Sequence, residues 1–266
     1  MGRKLYYMNG AEFPIVGGDP DAAKAALTGK VLIAIGDSYF NNMGTQLQNI
    51  CSKYGMVLDK RAVTGSMIRI GGNNPMCSRT DTIVQNYTDG YAIGGTTYYK
   101  NDVAAVAFMG GVNDGPSTGV IGTGINDTAT TTIYGALHHI FYTLLKEFTK
   151  AKVICIAQPA CYYLSASSTV TTEAAAKALG FETVAQAQLL DDVQFSSYCC
   201  NRTQNAVKQS ALMYGVELID LIREFPPISN PVNKSAYWSS DTIHPNTAGY
   251  NLIGNALDKK LLDLFG

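Results

Sequence analysis

Five short apolar segments, separated by longer stretches, constrain the fold of this chain more than any other feature of its sequence. Val, Ile and Ala dominate most of them without strict alternation, which is typical of strands buried on both faces of a parallel sheet. The predicted strands are residues 30–36, 56–63, 103–110, 153–158 and 216–221. Helix-like segments lie between them, so the alternation predicts a doubly wound α/β sandwich.

Helical periodicity is clearest in residues 132–150 and 246–265, where apolar residues recur every three or four positions. Residues 41–54 and 193–214 are weaker helix candidates. In a sheet of this type, ligands bind beyond the carboxyl ends of the strands. Long loops are often functional, and three segments are predicted to be long loops: residues 66–80, 111–130 and 160–175.

Residues 1–28 do not fit this alternation, because Pro14, Gly17, Gly18 and Pro20 predict irregular structure. We interpret this segment as an N-terminal arm or a linker. Residues 29–266 are then one domain, which is an ordinary size for an α/β fold. Such an arm is also compatible with a place in a larger assembly.

Charge and hydropathy exclude several classes of function. Twenty basic and twenty-one acidic residues give a net charge of -1, without the Lys and Arg cluster that nucleic-acid binding needs. The longest apolar runs, residues 31–35 and 103–109, are far shorter than the roughly 20 residues of a membrane-spanning helix. Residues 1–30 lack the continuous apolar stretch of a signal peptide. We therefore expect a soluble chain without a membrane span.

The six cysteines include no C-x-x-C pair, and no His or Cys cluster has the spacing of metal ligands. The usual signatures of a zinc ribbon and of a thioredoxin-like site are therefore missing, and we predict no metal and no cofactor. The adjacent pair Cys199–Cys200 is unusual and has no role that the sequence explains.

The first predicted strand ends in Gly36-Asp37-Ser38-Tyr39. A serine at the carboxyl end of a strand, with a helix behind it, is well placed for a nucleophile, because the helix N-terminus offers free N–H groups and partial positive charge. A turn serine that caps the helix fits the same residues. Ser117 lies in a literal G-x-S-x-G pattern, but the glycines that follow it indicate a loop rather than the sharp turn that this motif needs.

Three histidines are candidates for a general base. His138 and His139 lie within a periodic helix, away from any strand end, so we interpret them as structural or surface residues. His244 lies in Asp241-Thr242-Ile243-His244-Pro245, just before the last predicted helix. An Asp three residues ahead can accept a hydrogen bond from imidazole Nδ1, which leaves Nε2 as the base for a serine. A turn with an incidental histidine fits this common pattern too.

Two more strand ends carry residues that suit an oxyanion hole. Asn113 follows the third predicted strand, where its side-chain N–H could point at a developing negative charge. Gly65 follows the second, where the absence of a side chain lets the backbone N–H approach a substrate oxygen. Taken singly, each also fits an ordinary turn.

Taken together, four blocks in order resemble the SGNH (GDSL-type) hydrolase family over nearly the whole chain: Gly36-Asp37-Ser38, Gly65, Gly111-Val112-Asn113-Asp114 and Asp241-Thr242-Ile243-His244-Pro245. The resemblance implies a flavodoxin-like, three-layer α/β/α sandwich whose five-stranded parallel sheet has the order 2-1-3-4-5. It also implies ester hydrolysis without a metal. Where the family has Leu after the serine, this chain has Tyr39, a departure that bears on the wall of the pocket.

The resemblance also implies roles for individual residues. Ser38 attacks the acyl carbon, His244 takes and returns the proton, and Asp241 orients His244. The backbone N–H groups of Ser38 and Gly65, with the Asn113 side chain, hold the oxyanion.

The family includes lipolytic enzymes, carbohydrate O-acetyl esterases, thioesterases and acyltransferases. The candidate site loops at 72–74, 115–124 and 165–172 are polar and glycine-rich rather than apolar and lid-like, which favours a short acyl group. Aromatic faces beside polar loops suit a sugar ring. The predicted substrate-binding residues are Tyr39, Tyr162, Tyr163, Tyr237 and Trp238. We predict a serine esterase acting on a small-molecule or carbohydrate ester, with an O-acetyl group on a carbohydrate favoured.

Other functions remain open at this point. A non-catalytic glycan-binding or scaffold module, for example in a surface or viral tail assembly, is compatible with the fold, because fold does not fix function. The filled triad positions argue against it. An acyltransferase or a lipolytic esterase on the same fold is the other alternative.

Overall fold

Five parallel strands form the central sheet of the computed structural model, which describes residues 5–6, 12–13, 18–114, 120–161, 170–178, 181–190 and 192–266. The strands are β1 (Val31–Gly36), β2 (Val57–Lys60), β3 (Val103–Met109), β4 (Lys152–Ala157) and β5 (Glu217–Asp220). Their spatial order is β2-β1-β3-β4-β5, and every neighbouring pair is parallel. The predicted sheet is therefore confirmed in class and in order.

Helices cover both faces of this sheet. They are α1 (Pro20–Leu27), α2 (Ser38–Asn42), α3 (Gly44–Tyr54), α4 (Met76–Asp89), α5 (Ile133–Glu147), α6 (Glu173–Ala178), α7 (Val184–Gln188), α8 (Asp192–Met213), α9 (Leu221–Glu224), α10 (Pro231–Tyr237) and α11 (Thr247–Phe265). Two short hairpins pair Leu5–Tyr6 with Glu12–Phe13 and Tyr91–Ile93 with Thr96–Tyr98.

The alternation of side chains along each strand divides the core into two halves. In β1, Leu32 and Ala34 pack into the apolar cluster formed with α1, α3 and α11. Ile33 and Ile35 point the other way, into the cluster formed with α4, α5 and α8. Because both faces are buried, the strand has no polar position, which explains the absence of alternation in its sequence. The three-layer α/β/α sandwich follows.

Three sequence-based expectations are wrong in part. The predicted loop 160–175 is not loop throughout, because α6 begins at Glu173. Residues 66–80 are not loop throughout, because α4 begins at Met76, directly after Pro75, and buries Met76, Thr80 and Ile83 against the sheet. Residues 1–28 are not irregular throughout, because α1 covers Pro20–Leu27. Pro20 suits the first helical position, where its missing N–H has no helical acceptor to lose.

Helix α1 is also part of the core rather than an appendage. Ala23 and Leu27 are fully buried in the same cluster as α3 and α11. Asp19 caps the helix by accepting a hydrogen bond from the N–H of Asp21 at 2.9 Å.

Among the described residues, no helix combines the length and the apolar character that crossing a membrane requires.

Candidate active site

The turn after β1 presents a serine at the carboxyl edge of the sheet. Gly36 is required there, because a Cβ atom would lie 2.6 Å from the carbonyl oxygen of Met109 on β3. Asp37 caps α2 by accepting a hydrogen bond from the N–H of Tyr39 at 2.9 Å. Ser38 is the first residue of α2, where backbone N–H groups have no acceptor within the helix. The turn thus places a hydroxyl and free N–H groups together.

The turn before α11 brings a histidine and an aspartate to this serine. His244 Nε2 lies 2.8 Å from Ser38 Oγ, and His244 Nδ1 lies 2.6 Å from Asp241 Oδ2. Asp241 uses its other oxygen, Oδ1, to accept hydrogen bonds from the N–H groups of Ile243 and His244, both at 2.9 Å. One carboxylate therefore shapes the turn and orients the imidazole.

Two features keep this turn in place. Thr242 has a φ of 59°, in the left-handed region that β-branched residues avoid, so its conformation must be imposed by the neighbouring hydrogen bonds. Ser239 contributes by donating from Oγ to Asp241 Oδ1 at 2.5 Å. Burial raises the pKa of Asp241, but the hydrogen bonds from the His244 N–H, Ser239, the imidazole and the Ile243 N–H outweigh it and hold that pKa well below its usual range. The carboxylate therefore stays ionised.

Gly65 and Asn113 lie together beside the serine turn. Gly65 has a φ of 76°, which glycine adopts without strain, and its carbonyl accepts a hydrogen bond from Asn73 Nδ2 at 3.2 Å. Asn113 donates from Nδ2 to the carbonyl of Ser66 at 3.0 Å. A carboxamide carries two N–H donors, so a second one remains for a substrate oxygen. The structure thus joins the loops after β2 and β3.

Tyr39 and Trp238 do not have the roles predicted for them. Tyr39 is fully buried; its hydroxyl donates to the carbonyl of Ile243 at 2.6 Å, and its ring centroid lies 5.8 Å from that of His244. Trp238 is 4% exposed, packs edge-on against Phe225 and donates to the carbonyl of Pro226 at 3.3 Å. Tyr39 has no exposed face, and Trp238 shows only a small edge of its ring to a surface groove that it lines with Lys234, Ser235 and Ser239. Both rings are held mainly by packing and hydrogen bonds within the protein.

Of the remaining candidate residues from the sequence, the structure describes Tyr237, His138 and His139. Tyr237 is half-buried at the end of α10, with its ring centroid 6.5 Å from that of Phe225. Tyr162, Tyr163 and the rival serine Ser117 lie outside the described residues. His138 packs against Tyr142 on α5 and against Tyr214, the residue after α8, and His139 contacts Asp81 on α4. Neither histidine contacts Ser38.

Two buried glutamines, which no sequence motif predicted, are hydrogen-bonded to each other beneath the serine turn. Gln158, just after β4, donates from Nε2 to both oxygens of Asp37, at 3.0 and 2.9 Å. Its Oε1 accepts hydrogen bonds from the Val112 N–H at 2.9 Å and from Gln204 Nε2 at 3.0 Å. Gln204 on α8 also donates to the carbonyl of Gly110 at 3.1 Å. This network connects the ends of β1, β3 and β4 with α8.

Arg79 is a second residue without a sequence motif. From α4 it donates to the carbonyls of Gly36 and Arg61, at 3.2 and 3.1 Å, and to that of Asn74 at 2.8 Å. It also donates to Ser66 Oγ at 2.7 Å. The guanidinium thereby holds the ends of β1 and β2 against the loop that follows Gly65.

Two buried aspartates flank the serine turn and the Asn113 turn. Burial raises the pKa of Asp37 to about 6, although hydrogen bonds from the Tyr39 N–H and Gln158 oppose the rise. Burial raises the pKa of Asp114 to about 7, opposed by the N–H of Ile68 and the charge of Arg69. Neither side chain contacts the hydroxyl of Ser38, so we assign both to the organisation of the loops.

Within the described part of the chain, no cluster of three or more His, Cys, Asp or Glu side chains could hold a metal ion.

Comparison with known proteins places this site in a family. The GDSL-like lipase/acylhydrolase family matches residues 34–252, which include both turns of the candidate site. The chain is therefore a carboxylic ester hydrolase. It belongs to the GDSL-like lipase/acylhydrolase family, as the resemblance in its sequence predicted. No curated protein matches the chain in sequence.

Several solved structures share the fold. A protein from Lactobacillus plantarum has a TM-score of 0.63 and 22% identity, over 88% of this chain and 97% of its own. An acetyl xylan esterase has a TM-score of 0.50 and 19% identity, over 85% and 97%. A carbohydrate acetylesterase from Sinorhizobium meliloti has a TM-score of 0.50 and 12% identity, over 89% and 100%. At such low identities the similarity shows the fold alone.

Replacing Gln158 by Leu should destabilise the protein by about 3 kcal/mol, because it removes the amide donor to the buried Asp37 carboxylate and the acceptor of the Val112 N–H and of Gln204. Asp37 keeps the bond from the Tyr39 N–H, and Gln204 keeps the bond to the carbonyl of Gly110. Urea denaturation of the variant measures this. Gln48→Leu is the control, since Gln48 is exposed and reaches only Ser52 on its own helix, at 3.5 Å. Equal midpoints for Gln158→Leu and Gln48→Leu would show that the network contributes nothing.

Replacing Asp114 by Asn should change how stability depends on pH. With its pKa raised from 3.8 to about 7, the folded protein binds a proton on Asp114 more tightly than the unfolded chain does. The free energy of unfolding from this group therefore falls as pH rises from about 4 to 7. Urea denaturation across this range should give a shallower fall for Asp114→Asn, most clearly between pH 6 and 7, where Asp37, with a pKa of about 6, is already more than half ionised. Parallel profiles for variant and wild type would contradict this.

Proposed function

We propose that this chain hydrolyses short-acyl esters, with O-acetyl groups on a carbohydrate as the favoured substrate, and that Ser38, His244 and Asp241 form its catalytic triad. The observation that carries the proposal is the unbroken line of contacts from Ser38 Oγ through the imidazole to Asp241 Oδ2, at 2.8 and 2.6 Å. Family membership gives the reaction class, and the line of contacts supports the assignment of these three residues.

In the proposed acylation step, the proton of His244 is on Nδ1, where it is donated to Asp241. Nε2 then accepts the proton of Ser38 while Oγ bonds to the acyl carbon of the ester. The imidazolium that forms is stabilised by the Asp241 carboxylate, whose low pKa keeps it charged. His244 returns the proton to the leaving alcohol, and the acyl group remains on Ser38.

The negative charge that develops on the ester oxygen needs donors that are already in place. The N–H groups of Ser38 and Gly65 and the second N–H of Asn113 are the proposed donors. The bonds from Asn73 to Gly65 and from Asn113 to Ser66 support this role, because they orient these donors before substrate arrives. In the second half of the reaction, water gives a proton to His244 Nε2 while its oxygen bonds to the acyl carbon. The bond between that carbon and Ser38 Oγ then breaks, His244 returns the proton to Ser38 Oγ, and the carboxylic acid leaves and ionises in solution.

The proposal for a short acyl group rests on the polar, glycine-rich composition of residues 72–74 and 115–124, where a lipolytic enzyme would have apolar side chains. The proposal for a polar alcohol rests on the polar side chains beside Gly65. Asn41 donates to Thr64 Oγ1 at 3.1 Å, and Thr64, Asn73 and Asn74 are exposed. Amide and hydroxyl groups of this kind can exchange their contacts with water for contacts with sugar hydroxyls. Two structural neighbours are described as an acetyl xylan esterase and a carbohydrate acetylesterase, which is consistent with this substrate class.

Replacing Ser38 by Ala should abolish hydrolysis of p-nitrophenyl acetate, with a loss on the order of 10⁶ in turnover, as for the nucleophile of a well-studied serine protease. The fold should survive, because only one oxygen atom is removed. Circular dichroism and thermal unfolding check the fold. Ser117→Ala is the matched control and should keep its activity; the opposite result would assign the nucleophile to Ser117.

A panel of esters should distinguish the substrate classes. An apolar acyl groove gains about 0.8 kcal/mol for each buried CH₂, so a lipolytic enzyme prefers octanoyl esters. For this protein, kcat/KM should be highest for acetyl or propionyl esters and fall steeply by octanoyl. Acetylated sugars should be better substrates than simple alkyl acetates. A preference for octanoyl would contradict the short-acyl proposal, and acyl transfer to an added acceptor alcohol would identify a transferase.

A further inference from the structure

The adjacent cysteines of α8 face two different parts of the protein. Cys199 packs in a small apolar cluster with Val170, Ala176 and Ala187. Cys200 packs in the large cluster that lies between the sheet and α11. Successive helical residues point about 100° apart, so one helix can supply a cysteine to each cluster. The unusual pair in the sequence is thus two separate positions in the fold.

Cys200 meets another cysteine in its cluster. Cys161 follows β4, beyond Gln158, and its Sγ atom lies 3.5 Å from Sγ of Cys200. Both residues are almost completely buried, at 1% and 2% exposed. A disulfide has an S–S length of about 2.05 Å, so the two sulfur atoms need to approach each other by about 1.5 Å to bond.

We propose that Cys161 and Cys200 are a disulfide-forming pair, which becomes covalently bonded when the chain folds in the presence of an oxidant such as glutathione disulfide. The assignment rests on the contact between the two sulfur atoms. It is independent of the esterase function proposed above.

The reaction is a pair of thiol–disulfide exchanges. The thiolate of one cysteine attacks glutathione disulfide, forms a mixed disulfide and releases one glutathione thiolate. The thiolate of the other cysteine then attacks the protein sulfur of the mixed disulfide and releases the second glutathione. The two cysteines lose two electrons and two protons, and one glutathione disulfide becomes two glutathione molecules. Because both cysteines are buried in the folded protein, we expect the exchange to occur during folding.

The bond would lie directly behind the candidate active site. Tyr39, Cys161 and Cys200 are buried members of the same apolar cluster. The Tyr39 hydroxyl donates to the carbonyl of Ile243, in the turn that carries His244. A disulfide would therefore fix the segment after β4 to α8 and brace the wall on which Tyr39 rests.

Mass spectrometry of the full chain tests the assignment. The protein is folded with oxidised and reduced glutathione, unfolded, treated with iodoacetamide and digested with trypsin. We expect peptide 153–177, which contains Cys155 and Cys161, to be cross-linked to peptide 178–202, which contains Cys199 and Cys200. The thermal midpoint of the oxidised protein should exceed that of the reduced protein by roughly 5–10 °C.

Serine variants then identify the two atoms. Cys161→Ser and Cys200→Ser should each lose the cross-link and the difference between oxidised and reduced midpoints. Cys199→Ser and Cys155→Ser are the matched controls and should keep both. Because each midpoint difference is measured within one variant, a general loss of stability cancels. Alkylation of all six cysteines in the wild type would overturn the proposal even without the variants, and so would a cross-link that survives in Cys200→Ser but not in Cys199→Ser.

Discussion

The buried carboxylate of Asp37 is the group on which the candidate site depends. A charged side chain with no exposure is costly unless each oxygen is hydrogen-bonded. Here the N–H of Tyr39 and the amide of Gln158 supply those bonds. The first of them begins α2 at Ser38, and the second reaches across the end of β3 to the end of β4. Satisfying one buried charge therefore sets the position of the serine relative to the sheet.

In the histidine half of the site, a single carboxylate makes both the contacts that shape the turn and the contact that orients the imidazole. Asp241 shapes its own turn through one oxygen and holds the imidazole through the other. Tyr39 then connects the two halves, because it belongs to the serine helix and donates to the carbonyl of Ile243 in the histidine turn. The departure from the family's Leu at this position therefore has a structural role in this chain, because the Tyr39 hydroxyl bonds the serine helix to the histidine turn.

The sequence contains the information for the strands and for the four motif blocks, because buried strands and strand-end motifs leave local patterns. It does not contain a local signal for residues whose roles depend on contacts across the fold. Gln158 was identifiable only as a single amide at the end of an apolar run, and Arg79 only as a cation on an unrecognised helix. Burial of Tyr39 and Trp238 could not be inferred either, since an aromatic residue beside a motif is equally compatible with the pocket and with the core. Helix α4 was not predicted, because the glycines before Pro75 indicate a loop and the apolar spacing after Pro75 is a weaker signal.

The separation of 206 residues between Ser38 and His244 has a consequence for the order of folding. Contacts between distant parts of a chain form slowly, because the entropy of closing the intervening loop must be overcome first. During synthesis all five strands leave the ribosome before His244 does, so a sheet with its serine turn can form while the base is still missing. Recovery of activity after dilution from denaturant would accordingly follow the docking of α11, whereas far-ultraviolet circular dichroism would follow the earlier formation of helices and sheet. The rate at which activity returns would then measure the last step of folding, in which the histidine turn reaches Ser38.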